Sequence, residues 1–185
     1  LTILDTGCGR GFYPKLVSLL PFPKKIAGID ISEKYVKKAR SLTKNDGRVT
    51  IQQGSIYKIP LKNSSVDCVI CSEVFEHLDK PDDALVEISR VLKPGGLLLA
   101  TVPHVNFPFL WDPLNFILMR LFGTHIDKNI WWLAGIWADH ERLYGEKEFT
   151  SFIGRKLKVE TTKRIVATCW PLTHFFLYAI GKNIV

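Results

Sequence analysis

An open, mostly parallel α/β sheet with helices on both faces is the fold this sequence predicts, and three observations predict it. Over the first hundred residues, apolar strand-like runs alternate with segments of helical apolar spacing, the order that builds βα units. The first strand runs directly into "DTGCGRG", a glycine turn that opens a helix. The run "VDCVICS" is apolar enough to be covered on both faces, as strands inside parallel sheets are. With 185 residues, 46% of them hydrophobic and 23% charged, the chain can bury a substantial core without disulfides.

Taken in order, Ile3 and Leu4 are strand-like and Asp5 closes the strand. Gly7, Gly9 and Gly11 follow at two-residue steps, where a Cβ would obstruct both a left-handed backbone and a ligand's approach. From Phe12 to Leu20 the apolar spacing is helical. "KIAGID" is the second strand, and Ser32 caps a helix reaching Ser41. "RVTIQQG" and "VDCVICS" are the third and fourth strands. "KPDDALVEISRVLKPGG" is a helix with Pro81 and two aspartates at its head and Pro94-Gly95-Gly96 past its end. "LLLATVP" is the fifth strand.

The text changes after Pro103. Residues 104–144 form an aromatic-rich insert holding four of the five tryptophans, placed where an acceptor lid would sit. Residues 145–185 return to a helix and sheet-edge strands. Within them the 17 uncharged residues Ile165 to Gly181 reach the short limit of a membrane span. Pro171 and His174 interrupt that run, and strand and turn is the better reading. The expected organisation is a single domain over 1–185, with residues 1–103 as the cofactor-binding half.

The net charge of +7 suits an anionic partner, nucleic acid or a lipid surface. The four cysteines are scattered. Cys68 and Cys71 make a C-x-x-C, but on a strand they point to opposite faces, which argues against a redox or zinc pair. A reduced, cytoplasmic setting fits, with contact at the membrane periphery as a variant. No signal peptide precedes the first strand, and a start inside a strand points to a fragment or a missing upstream helix.

The glycine turn lacks the features of the common phosphate binders. Phe12 stands where a dinucleotide fingerprint needs its third glycine, and no Gly-Lys-Ser/Thr follows for a P-loop. Asp5 would repel a pyrophosphate but suits a ligand with an ammonium group. Asp30, ending the second strand, can accept hydrogen bonds from both hydroxyls of a ribose. A ligand with an amino-acid end and a ribose end is an aminoacyl nucleoside, of which S-adenosylmethionine is the common one.

At these residues the sequence resembles class I S-adenosylmethionine-dependent methyltransferases, especially the group typified by quinone-biosynthesis enzymes. "LDTGCGRG", "GIDIS", "GSIYKIPL", "VDCVICSEVFEHL" and "RVLKPGGLLLATVP" are similar to that family's motifs in order, over roughly residues 1 to 104. The resemblance implies the Rossmann-like methyltransferase fold. It also implies that the run Asp5, Thr6, Gly7, Cys8, Gly9, Arg10 and Gly11 wraps the methionine part and Asp30 holds the ribose. Ile31 would pack on adenine, with Gly54, Ser55 and Ile56 at its edge, and Ser72 would meet the methionine end through its backbone. Ser55 departs from the family's frequent Asp, which commonly bonds the adenine amino group.

"SEVFEHL" adds a candidate site for a divalent cation. If Glu73 starts a helical turn, Glu76 and His77 share its face. A similar E-x-x-E-H occurs in ubiquinone-type O-methyltransferases and in small-RNA 2′-O-methyltransferases, and the latter add a histidine that "ADHERLY" would supply as His140. The bland alternative is that acids favour a helix start and His77 only caps or packs. His104 and His140 are candidate general bases; His125 and His174 carry no argument beyond their residue type. The insert and the apolar C-terminus favour a small apolar or lipid-like methyl acceptor, with oxygen as the attacked atom. A nucleic-acid acceptor is disfavoured, because no long basic stripe mixes with stacking aromatics. The competing readings are a catalytically silent cofactor-binding scaffold, a metal-dependent RNA 2′-O-methyltransferase, and a nucleotide-binding oxidoreductase, the last opposed by Phe12 and Asp5.

Overall fold

A computed structural model describes residues 1–104, 113–124, 126, 142–169 and 172–182. The tryptophans of the insert, together with His125 and His140, lie outside the described residues. The strands β1 (Thr2–Thr6), β2 (Lys25–Asp30), β3 (Val49–Gln53), β4 (Val66–Ser72), β5 (Leu92–Pro103), β6 (Lys158–Cys169) and β7 (Leu172–Lys182) form one sheet in the order β3-β2-β1-β4-β5-β7-β6. The first five are parallel, and β7 runs antiparallel to both β5 and β6. The described part of the uncharged C-terminal run, 165–169 and 172–181, is therefore strand, as expected, but β7 is internal and β6 is the edge. No helix among the described residues is long and apolar enough to cross a membrane.

Side-chain alternation assigns the two faces. Ile3, Ile26 and Ile70 meet Val17 of α1 (Phe12–Ser18), and Ile51 meets Val36 and Ala39 of α2 (Glu33–Thr43). On the opposite face Leu4, Val69, Leu98 and Ala100 pack with Leu85 and Ile88 of α3 (Pro81–Val91) and Phe149 and Phe152 of α5 (Glu146–Gly154). Cys68 falls on the first face and Cys71 in the second core, so the C-x-x-C is split as its strand position predicts. A fifth helix, α4 (Pro113–Phe122), lies in the insert, where Asn115 clamps both backbone groups of Ile126.

Two boundaries differ from expectation. Helix α1 stops at Ser18 rather than Leu20, where Leu19 and Leu20 close with three-residue turns. Helix α3 ends at Val91, and β5 begins at once with Leu92. Pro94, Gly95 and Gly96 thus become an irregular strand start, where pairing with β4 jumps from Leu92 to Leu97 and Gly95 takes a positive φ. Ser32 caps α2 as expected, accepting from Tyr35 N at 3.4 Å.

Candidate active site

The site is built at the carboxyl ends of β1, β2 and β4, where an open α/β sheet leaves a crevice. All three glycines of the turn are left-handed, with φ of 68°, 52° and 87°. A Cβ on Gly7 would stand 2.5 Å from Val74 Cγ2, and one on Gly11 would stand 2.9 Å from the Ala39 backbone. Gly9 has nothing within 4 Å of that position, so its side is open. Glycine thus serves packing at the ends of the turn and access at its middle.

Asp30 governs this turn. Its Oδ2 accepts from Gly9 N and its Oδ1 from Ser32 N, both at 2.8 Å. The carboxylate holds the turn and the head of α2 together, and each oxygen keeps a lone pair for a further donor. Next to it lies a cavity of about 300 Å³, whose lining includes Gly7, Asp30, Ile31, Gly54, Ser55 and Ile56. That volume is at the lower end for ligand pockets. Ile31 is 77% exposed, an apolar platform that the protein itself leaves uncovered.

The other predicted residues take different roles. Asp5 is 2% exposed beneath the turn and does not line the cavity. Burial, and then the Asp30 charge, push its carboxyl well above the usual range, and its Oδ2 meets no donor. Thr6 is spent on Ile70 O, tying β1 to β4. Cys8 packs among Val36, Ala39 and Ile51, with its thiol pushed up to about 12 by burial, Asp5 and Asp30. Arg10 is exposed on the turn. The Ser55 hydroxyl accepts from Tyr57 N at 3.2 Å.

The sequence reasoning missed the second wall of the cavity: Tyr57, Val74, Leu78 and Asp79, with His77 beside them. The Tyr57 hydroxyl accepts from Lys80 N at 3.3 Å, joining the β3–β4 loop to the segment after β4. No signal within one segment marks that wall, because Tyr57 and Asp79 come together from two separate loops.

Glu73 and Glu76 are brought together, though not on a helical face. Glu73 has a positive φ of 54°, and a 3₁₀ turn begins only at Phe75. Thr101 Oγ1 donates to Glu73 Oε1 at 2.7 Å, so Thr101 must accept from Ser72 (2.7 Å), which in turn accepts from Tyr13 (3.0 Å). Glu76 is fully sealed, and neither of its oxygens meets a protein donor while Glu73 is ionised. Burial raises both carboxyls above the usual range, and the Glu73 charge raises Glu76 further, so the pair retains a shared proton. His77 Nε2 lies 3.8 Å from Glu76 Oε1. Among the described residues no group of three or more His, Cys, Asp and Glu is arranged to hold a metal, and the described part of the predicted cation set does not fit one. His104 is buried at the end of β5, bridged to Tyr144.

The sequence pattern of a methyltransferase domain family matches residues 4–100, which contain every element of the cavity described above. The chain belongs to that family. Similar proteins include a malonyl-[acyl-carrier protein] O-methyltransferase of Halalkalibacterium halodurans, 28% identical over 90% of this chain and 66% of that protein. A probable S-adenosylmethionine-dependent methyltransferase of Mycolicibacterium smegmatis is 34% identical over 61% of this chain and 43% of its own length. An S-adenosylmethionine-dependent methyltransferase structure from Methanosarcina mazei superposes with a TM-score of 0.77 at 17% identity, covering all of this chain and 92% of that one. The chain spans 37% to 43% of the length of the first three curated relatives. The fold is the class I, Rossmann-like one, and S-adenosylmethionine is the cofactor carried in the names of two of these similar proteins. The residues fit that group: Asp30 faces the cavity with free lone pairs, Ile31 offers an uncovered apolar surface, and Gly9 leaves the turn open.

Proposed function

We propose that the protein moves the cofactor's methyl group to an oxygen of a small apolar or lipid-like acceptor. The observation that carries this reading is the carboxyl pair at the end of β4. Glu73 is held by Thr101, while Glu76 is sealed beside the aromatic cluster of Phe75, Tyr144, Phe149 and Phe152. Glu73 is the partly exposed member of the pair, so an acceptor O–H that reaches it meets a strong hydrogen-bond acceptor beside an apolar wall. Helix α4 adds apolar surface, with Leu121 and Phe122 about 70% exposed; this supports a hydrophobic acceptor and contact with a lipid surface.

The cofactor, when bound, supplies a methyl group already activated on a sulfonium. The chain's own share is to hold the acceptor in line, exclude water and relieve the acceptor oxygen of its proton. In this reading Glu73 holds that O–H, and His104, at the end of β5, is the second candidate. We propose the parts of the domain accordingly: residues 1–103 bind the cofactor, 104–144 cover the acceptor, and 145–185 brace the sheet. The malonyl-[acyl-carrier protein] O-methyltransferase among its relatives supports oxygen as the atom methylated.

The test offers methyl-labelled S-adenosylmethionine to membrane, soluble and RNA fractions of a cell extract. Label in an organic-phase product is the expected result, and label in RNA or in nothing overturns the reading. A cation-dependent version needs His140 to complete the set with Glu73, Glu76 and His77; unchanged turnover in chelator removes it.

A further inference from the structure

The charge of this protein is not spread evenly. Residues 1–65 hold 12 Lys and Arg against 4 Asp and Glu, whereas residues 66–185 hold 13 against 14. The entire net charge therefore belongs to the β1–α1–β2–α2–β3 half. Of its four acids, Asp5 is buried beneath the glycine turn and Asp30 is buried beside the cofactor cavity. The other two are bonded internally, Glu33 to Lys37 at 2.9 Å and Asp46 to Arg48 at 2.7 Å. No run of the sequence is strongly basic, but the fold brings Lys24, Lys25, Arg48 and Lys62 together around one groove.

The groove, of about 590 Å³, opens between the β2–β3 surface and the β3–β4 loop. Thr2 and Lys25 start their strands there, so the lysine-rimmed end of the groove lies at the amino ends, while Gln52 and Pro60 extend it toward Gly54 of the cofactor cavity. Lys24, Lys25 and Lys62 rim it, Thr50, Gln52 and Ser65 contribute hydroxyl and amide groups, and no acid lines it. Arg48 is not free to bind: its guanidinium is fixed by Asp46 and by the carbonyls of Ser18, Leu20 and Pro23. It braces the groove wall.

We propose that this groove binds the phosphate backbone of single-stranded nucleic acid. Lysines with hydroxyl and amide donors are the groups that contact phosphates. The concave shape suits a strand rather than a flat bilayer. The surface is separate from the acceptor site, so the inference stands whatever the acceptor is.

Fluorescence anisotropy with a labelled single-stranded RNA of about 20 nucleotides, longer than most single-fold sites, tests it on the purified chain. Binding at about 50 mM salt should weaken steeply as salt rises. Changing Lys24, Lys25 and Lys62 together to Glu should abolish most of that binding; changing them to Ala should flatten the log–log salt slope by about 2, since each phosphate contact contributes ~0.7. Binding of S-adenosylhomocysteine and the melting temperature should be unchanged in both variants, which shows that they fold. No RNA binding at low salt, or equal binding by the variants, overturns the proposal. Stronger binding of polyglutamate or of anionic vesicles than of RNA also overturns it, in favour of an acidic protein or a membrane.

Discussion

Glu76 shows how much one buried side chain can reveal. Its carboxyl lies above the ordinary value of 4.5, first because burial disfavours its charge and then because Glu73 stands beside it. The folded protein keeps a proton that the unfolded chain releases, so the folded state binds more protons once pH exceeds the unfolded value. Stability on this account is complete below that value and is lost as pH rises toward the raised one. Melting temperatures measured from about pH 5 to 9 should therefore decline in the native protein. The decline should flatten in Glu76→Gln, which has nothing to ionise; parallel declines in both would contradict the account. At this scale the sequence was most legible where a role is local. Asp30 and Ile31 end a strand and start a loop, and their positions follow from that alone. Asp5, Thr6 and Cys8 belong to the same motif, yet strand alternation and the tight turn send them inward. Tyr57 and Asp79 were invisible because they meet across two loops 22 residues apart.

The glycine turn is the element on which the site depends, and its glycines are not equivalent. Gly11→Ala would combine a left-handed φ of 87° with a Cβ 2.9 Å from Ala39's backbone, which cannot withdraw as a side-chain tip can. A loss of about 1–3 kcal/mol is expected, the usual scale of such strain. Gly145→Ala is the control: φ is −80° and nothing lies within 4 Å of its Cβ, so a change under about 0.5 kcal/mol is expected. Chemical denaturation of both variants checks the pair, and equal losses would refute the assignment. The turn, the strands and α3 were readable because glycine spacing, apolar runs and proline caps are signals within one segment. What failed was anything set by partners: the place of β7 inside the sheet comes from pairing with β5 on one side and β6 on the other. The meeting of Glu73 and Glu76 likewise comes from a left-handed residue, where helical spacing had been expected.

Across the whole molecule the sheet has two chemically different ends. Buried carboxyls and an open glycine turn occupy the carboxyl ends of the strands, while lysines rim a groove at the amino ends. The fold class was legible from the alternation of elements, but this polarity was not, since it exists only once β2, β3 and their connections share an edge. The central claim is that the carboxyl-end cavity holds an adenosyl amino acid through Asp30. Calorimetric titration with S-adenosylhomocysteine tests it most directly, comparing the native chain with Asp30→Ala. Saturable one-to-one binding by the native chain is expected, weakened ~10- to 100-fold in the variant, the cost of removing hydrogen bonds to a charged group. No binding by the native chain, or undiminished binding by the variant, would contradict it.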